Sequence, residues 1–137
     1  MYTPEEQKEH RRMWVKALRS GEYAQGKDVL CRKTVDTFEY CCLGIACKIS
    51  GLGEFVPMYN LSHSLSAFTF VTREEQPQDA VLPKVVQDWL GLRYHSGWYS
   101  NGGMRSLTKL NDNGASFTTI ADVIESEPDE LISSNKE

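Results

Sequence analysis

The sequence has no long hydrophobic run. Nothing in it approaches the ~20 consecutive apolar residues that a membrane-spanning helix needs, so no membrane partner is expected. Its opening, Tyr2-Thr3-Pro4-Glu5-Glu6-Gln7, is acidic and polar, which excludes the usual form of a secretory leader and makes a cytoplasm with reduced thiols the default. Histidine is scarce. His10, His63 and His95 lie far apart in the chain and remote from the cysteines, leaving a cysteine enzyme without an evident base. There are only four cysteines, and the spacing Cys31-x9-Cys41-Cys42-x4-Cys47 lacks the two close pairs typical of structural zinc. Positive charge is not in excess either. Fifteen basic against 19 acidic residues give a net charge of −4, with no global attraction to nucleic acid.

What is present describes a globular chain of 137 residues, 40% hydrophobic and 25% charged. No internal repeat or second domain is evident. The reading is a single α+β domain over residues 1–132, with three or four helices packed on a small, mostly antiparallel sheet, and a flexible tail at 133–137. The charge is unevenly spread. Arg11, Arg12, Lys16, Arg19, Lys27, Arg32 and Lys33 fall between His10 and Lys33, whereas Asp122, Glu125, Glu127, Asp129 and Glu130 fall together without a base. Such runs are either solvated faces or, for the first, a basic patch that meets an anionic partner.

The first helix has Thr3 as N-cap, Pro4 at its first position, Glu6 completing a capping box and Gly21 ending it. His10, Met13, Trp14, Ala17 and Leu18 form its apolar face, with His10 at the edge of the core. Val29–Arg32 and Phe38–Cys41 read as a hairpin. A helix follows from Cys42 to Gly51, in which Gly44 admits a neighbouring backbone. Phe55-Val56 and Phe68–Val71 read as strands around a Ser-rich stretch, Asn60–Ser66, and Arg73–Asp79 as a mobile polar loop. Pro83–Leu90 is a short helix, Arg93–Gly103 an exposed loop or tight hairpin, and Leu107–Leu110 a brief helix ending at Asn113-Gly114. A last helix is capped by Ser116 and buries Phe117, Ile120, Ala121 and Ile124.

The run Tyr40-Cys41-Cys42-Leu43-Gly44-Ile45-Ala46-Cys47 places three thiols where a strand becomes a helix. Metal ligation, a nucleophile activated at the helix N-terminus, and buried core thiols are all chemically open, and the spacing favours the core. No catalytic residue, metal or cofactor is assigned. Two groups are candidate binding residues. Arg19, Tyr23 and Gln25 can present a guanidinium, a ring and an amide to a small anionic or planar ligand; the competing role is local, with Arg19 capping its own helix and Tyr23 covering the core. Trp98, Tyr99 and Asn101 sit in a glycine-rich loop suited to a protein contact, unless Trp98 folds back into the core. Asn111 and Asp112 read as turn-shaping residues. The segment Leu110–Ile124 resembles the opening of a helix-turn-helix, but Glu125-Ser126-Glu127-Pro128-Asp129-Glu130 is acidic and broken where a recognition helix would lie, so sequence-specific DNA binding is not expected.

Read in order, the strings Trp14-x2-Ala17-Leu18-Arg19-Ser20-Gly21-x-Tyr23-x-Gln25, Tyr40-Cys41-Cys42-Leu43-Gly44-x2-Cys47 and Leu110-Asn111-Asp112-x-Gly114-x-Ser116-Phe117-x2-Ile120-Ala121 resemble a family of small uncharacterised bacteriophage and prophage proteins. The resemblance implies a setting rather than a chemistry. It implies a phage accessory protein in the bacterial host cytoplasm that engages a host macromolecule and interferes with a host process or defence system. A protein that binds or sequesters a nucleotide-like small molecule is the alternative, and a cysteine-dependent enzyme the third.

Overall fold

Helix α1 (Pro4–Arg19) starts as its residues dictate. The Thr3 hydroxyl accepts from the Glu6 N–H at 3.0 Å, and the Glu6 carboxylate accepts from the Thr3 N–H at 2.8 Å. The computed structural model describes residues 2–57 and 67–133. The Ser-rich stretch Asn60–Ser66, His63 within it, and residues 134–137 of the expected tail therefore lie outside the described residues.

After α1, strand β1 (Ala24–Gln25) runs parallel to β3 (Phe38–Tyr40), which pairs antiparallel with β2 (Cys31–Lys33). Strands β4 (Gly53–Pro57) and β5 (Ala67–Thr72) complete a five-stranded sheet in the order β1-β3-β2-β5-β4. A separate hairpin joins β6 (Trp98–Ser100) to β7 (Met104–Ser106). The fold is α+β, and the sheet is antiparallel apart from the β1–β3 pair. Among the described residues there are five helices, one more than the upper sequence expectation.

Helix α2 (Cys42–Ser50) is the centre of the molecule. It touches α1, strands β3 and β4, and helices α3 (Lys84–Leu90) and α4 (Leu107–Asp112). Every residue from Cys42 to Cys47 is buried, because a helix surrounded on all sides needs apolar groups all round rather than one stripe. Gly44 is what allows this packing. A Cβ there would run into the Leu30 carbonyl, so the chain entering β2 can lie directly against the helix. The Trp14 indole N–H donates to the Cys42 carbonyl at 2.9 Å and ties α1 to α2.

Helix α5 (Phe117–Ser126) packs along α1 and buries Phe117, Ile120, Ala121 and Ile124, the stripe that the spacing predicts. Beyond it, Glu127 takes a left-handed conformation (φ 49°) and Leu131 returns to the core. No recognition helix follows α5 among the described residues.

Two expectations need correction. Met13 is 41% exposed while Arg11 is buried, because Arg11 reaches α3 rather than solvent. The loop 73–79, read as mobile, is tied down. Gln78 bridges Phe70, the Asp79 carbonyl accepts from the Leu30 N–H at 2.7 Å, and the Glu75 carboxylate accepts from the Lys84 and Val85 N–H groups. Glu75 thus caps the N-terminus of α3, whose own N-cap, Pro83, has no side-chain acceptor to offer.

Candidate functional site

The two charge runs of the sequence meet across the α1–α5 pair. Arg19 Nη2 lies 2.6 Å from the Asp122 carboxylate and 3.0 Å from that of Glu125, and Arg11 Nη2 lies 3.4 Å from Glu127. The hydrogen bonds that Arg19 donates to Glu125 and Asp122 raise its pKa. At Arg11 burial dominates and lowers the pKa, with Glu127 opposing it. Much of the acidic run is therefore neutralised internally.

Not every cation along α1 is paired with an acid among the described residues. Lys8, Arg12 and Lys16 stand four residues apart on one stripe, a ridge about 12 Å long at 1.5 Å rise per residue. Lys8 and Lys16 have no ion-pair partner among the described residues, and Arg12 makes an exposed pair with Glu9 at 3.1 Å. This ridge borders a surface groove of about 770 Å³ between α1 and α5, with Val15 and Ile124 as its apolar floor. Arg11, Arg19, Glu125 and Glu127 form the rest of its wall. Arg11, Arg12 and Arg19 each face an acid, so the groove's positive excess rests on Lys8 and Lys16, which have no partner among the described residues.

The predicted binding residues part company in the structure. Arg19 belongs to this groove. Tyr23 stacks edge-on against Tyr40 with ring centroids 5.6 Å apart. Gln25 spends its amide N–H groups on Asn111 Oδ1 (2.9 Å) and the Ala115 carbonyl (2.8 Å). Each of the three is held by its own partner within the fold, and they do not converge on a shared ligand position. In the β6–β7 hairpin, Tyr99 is a correction: at 3% exposure it is a core residue. Strand alternation turns Tyr99 inward and leaves Trp98 half-buried on the other face. Trp98 lines a shallow groove of about 240 Å³ with Met104, Arg105, Lys109 and Leu110, smaller than a typical ligand site. Asn101 is exposed at the turn.

The cysteines are all free and all buried. Cys41 is the N-cap of α2, where N–H groups favour a thiolate, yet burial outweighs them and pushes its pKa up to about 11. Burial lifts the Cys42 and Cys47 thiols well above their ordinary range. Among the described residues no three His, Cys, Asp or Glu side chains gather as metal ligands would.

Residues 6–128 match the family described as a domain of unknown function, DUF8296. The chain belongs to that family. The DUF8296 span includes most of α1 and all of α5, so the groove between them is part of the family domain. No curated protein and no solved structure matches the chain. Among the described residues no helix is long and apolar enough to cross a membrane.

Two residues with structural authority escape the sequence reading. Asn111, 1% exposed, is a hub rather than a turn residue. Its Oδ1 accepts from Gln25 and from the Cys42 N–H at 3.2 Å, and its Nδ2 donates to the Gly26 carbonyl at 2.7 Å. The available signal is its place on the buried face of α4, four residues after Leu107. Arg11 is the other. With Gln7 and His10 it donates to the last carbonyls of α3: Gln7 to Asp88 (2.8 Å), the His10 Nδ1–H to Trp89 (2.7 Å) and Arg11 to Leu90 (2.7 Å). His10 also stacks on Trp89 at 4.1 Å, the core-edge role expected of it.

Proposed function

We propose that this DUF8296 protein is a phage-derived accessory binding protein, not an enzyme, and that its α1–α5 groove engages an acidic segment of a host protein in the bacterial cytoplasm. The observation that carries the reading is the cationic ridge Lys8–Arg12–Lys16 beside the apolar floor of Val15 and Ile124. An amphipathic segment with apolar anchors and a flanking acidic edge matches both features at once. The resemblance to phage and prophage proteins supports the genetic setting, and interference with a host process or defence system is the consequence of such binding. A protein partner fits better than a nucleic acid, because Glu125 and Glu127 on the opposite wall and the net charge of −4 work against a continuous polyanion. Burial raises the thiol pKa values, which supports a binding role over a cysteine nucleophile.

Capture from bacterial lysate tests the proposal when wild type is compared with Lys8→Glu/Lys16→Glu, two exposed changes that leave the core intact. The wild type retains a partner that the double variant loses, and added salt weakens the captured complex. A captured set that is unchanged by the charge reversal contradicts it.

A further inference from the structure

The face of the sheet turned toward α2 holds a second cavity, of about 390 Å³, away from the α1–α5 groove. Alternation along three strands brings Phe38 and Tyr40, Phe68 and Phe70, and Phe55 to this one face. The rings meet edge to face: Phe38–Phe68 at 5.6 Å, Tyr40–Phe55 at 5.9 Å and Phe55–Phe70 at 4.9 Å. Phe70, Tyr40 and Cys31 are the buried floor, whereas Phe55 and Phe68 are half-buried walls and Phe38 is 42% exposed at the mouth. Helix α2 is too short to cover the sheet. Its last turn leaves Lys48 at the rim, exposed and without a hydrogen-bond or ion-pair partner among the described residues. A second cation, Lys33, stands 5.3 Å above the Phe38 ring. Glu54 also borders the cavity, but alternation along β4 turns its side chain to the face opposite Phe55.

We propose that this cavity is a binding site for a flat aromatic anion of one or two rings, held between the phenylalanines with its carboxylate or phosphate on Lys48. The volume is within the range of small-ligand sites, and five of the nine residues around it are aromatic, with Lys48 the charged side chain on the same face as the rings. Five rings offer the faces and edges that a planar π-system takes up, and the Lys48 ammonium at the mouth, without a partner among the described residues, selects the anionic form. The site shares none of Arg19, Tyr23 or Gln25, and it stands whether or not the groove binds a protein.

Titration of the purified chain with indole-3-acetate and with its neutral analogue tryptophol, followed by aromatic NMR resonances, tests it. Indole-3-acetate is expected to shift the Phe38, Phe55 and Phe68 signals saturably, and to bind about fivefold more tightly than tryptophol, the worth of one charge-assisted contact. Lys48→Gln, an exposed change that leaves the fold intact, abolishes that preference, and Phe55→Leu weakens both probes. Absence of saturable shifts at these rings, or a preference that survives Lys48→Gln, overturns the proposal.

Discussion

Gly44 shows how much one residue decides in this fold. Its missing Cβ is the space occupied by the Leu30 carbonyl, so Gly44→Ala is expected to cost about 3 kcal/mol, at the upper end of overpacking, despite alanine's better helix propensity. Urea denaturation would measure it, and a neutral or stabilising result would mean that β2 and α2 can separate at no cost. The cysteines make a second prediction at this scale. Burial pushes Cys31 up to about 11 against the opposing influence of Lys48 and Tyr40, and Cys41 reaches about 11 as well. Unfolded thiols ionise near ~8.5, so between roughly pH 8.5 and pH 11 the unfolded chain binds fewer protons than the folded one. Stability therefore falls as pH rises through that window, by at most ~1.4 kcal/mol per pH unit for each thiol, and is insensitive to these groups below it. Denaturation in reductant at pH 8 and pH 10 should show the decline, with a shallower slope in Cys31→Ala. For the same reason iodoacetamide at pH 8 should label the folded protein slowly at all four thiols.

At the scale of elements, α3 is a seven-residue helix with no side-chain cap of its own at its start and Gly91 alone turning its finish. Glu75 closes its start, and Gln7, His10 and Arg11 of α1 close its finish. Arg11→Met keeps the buried stem but leaves the Leu90 carbonyl unpaired, so a loss of roughly 2 kcal/mol is expected, with α3 amides exchanging first. Uniform exchange across all the helices would contradict that account. These long-range caps also show where sequence reading stops. Features decided within a few residues were legible: the α1 capping box, the Gly51 and Gly91 helix ends, the β2–β3 hairpin and the apolar stripe of α5. Features decided by partners some eighty residues away were not. Arg11 reads as one more surface cation and Asn111 as a turn residue until α3, β1 and α2 are brought beside them. The candidate site was half legible. The basic helix was visible, but the acids that neutralise Arg11 and Arg19, and leave Lys8 and Lys16 without a partner among the described residues, come from the other end of the chain.

At the scale of the whole molecule, a chain of net charge −4 presents one cationic ridge, because its terminal acids fold back onto α1 and stop short of Lys8 and Lys16. That distribution predicts association that is fast at low ionic strength and slows as salt is added, without affinity for anions in general. The hairpin carrying Trp98 offers the competing surface, and with Tyr99 committed to the core it presents little aromatic area. The most direct measurement is NMR cross-saturation from the captured partner onto this protein. The predicted result is saturation at Lys8, Arg12, Val15, Lys16 and the end of α5, lost in Lys8→Glu/Lys16→Glu; saturation confined to residues 98–113, with the ridge untouched, would contradict it.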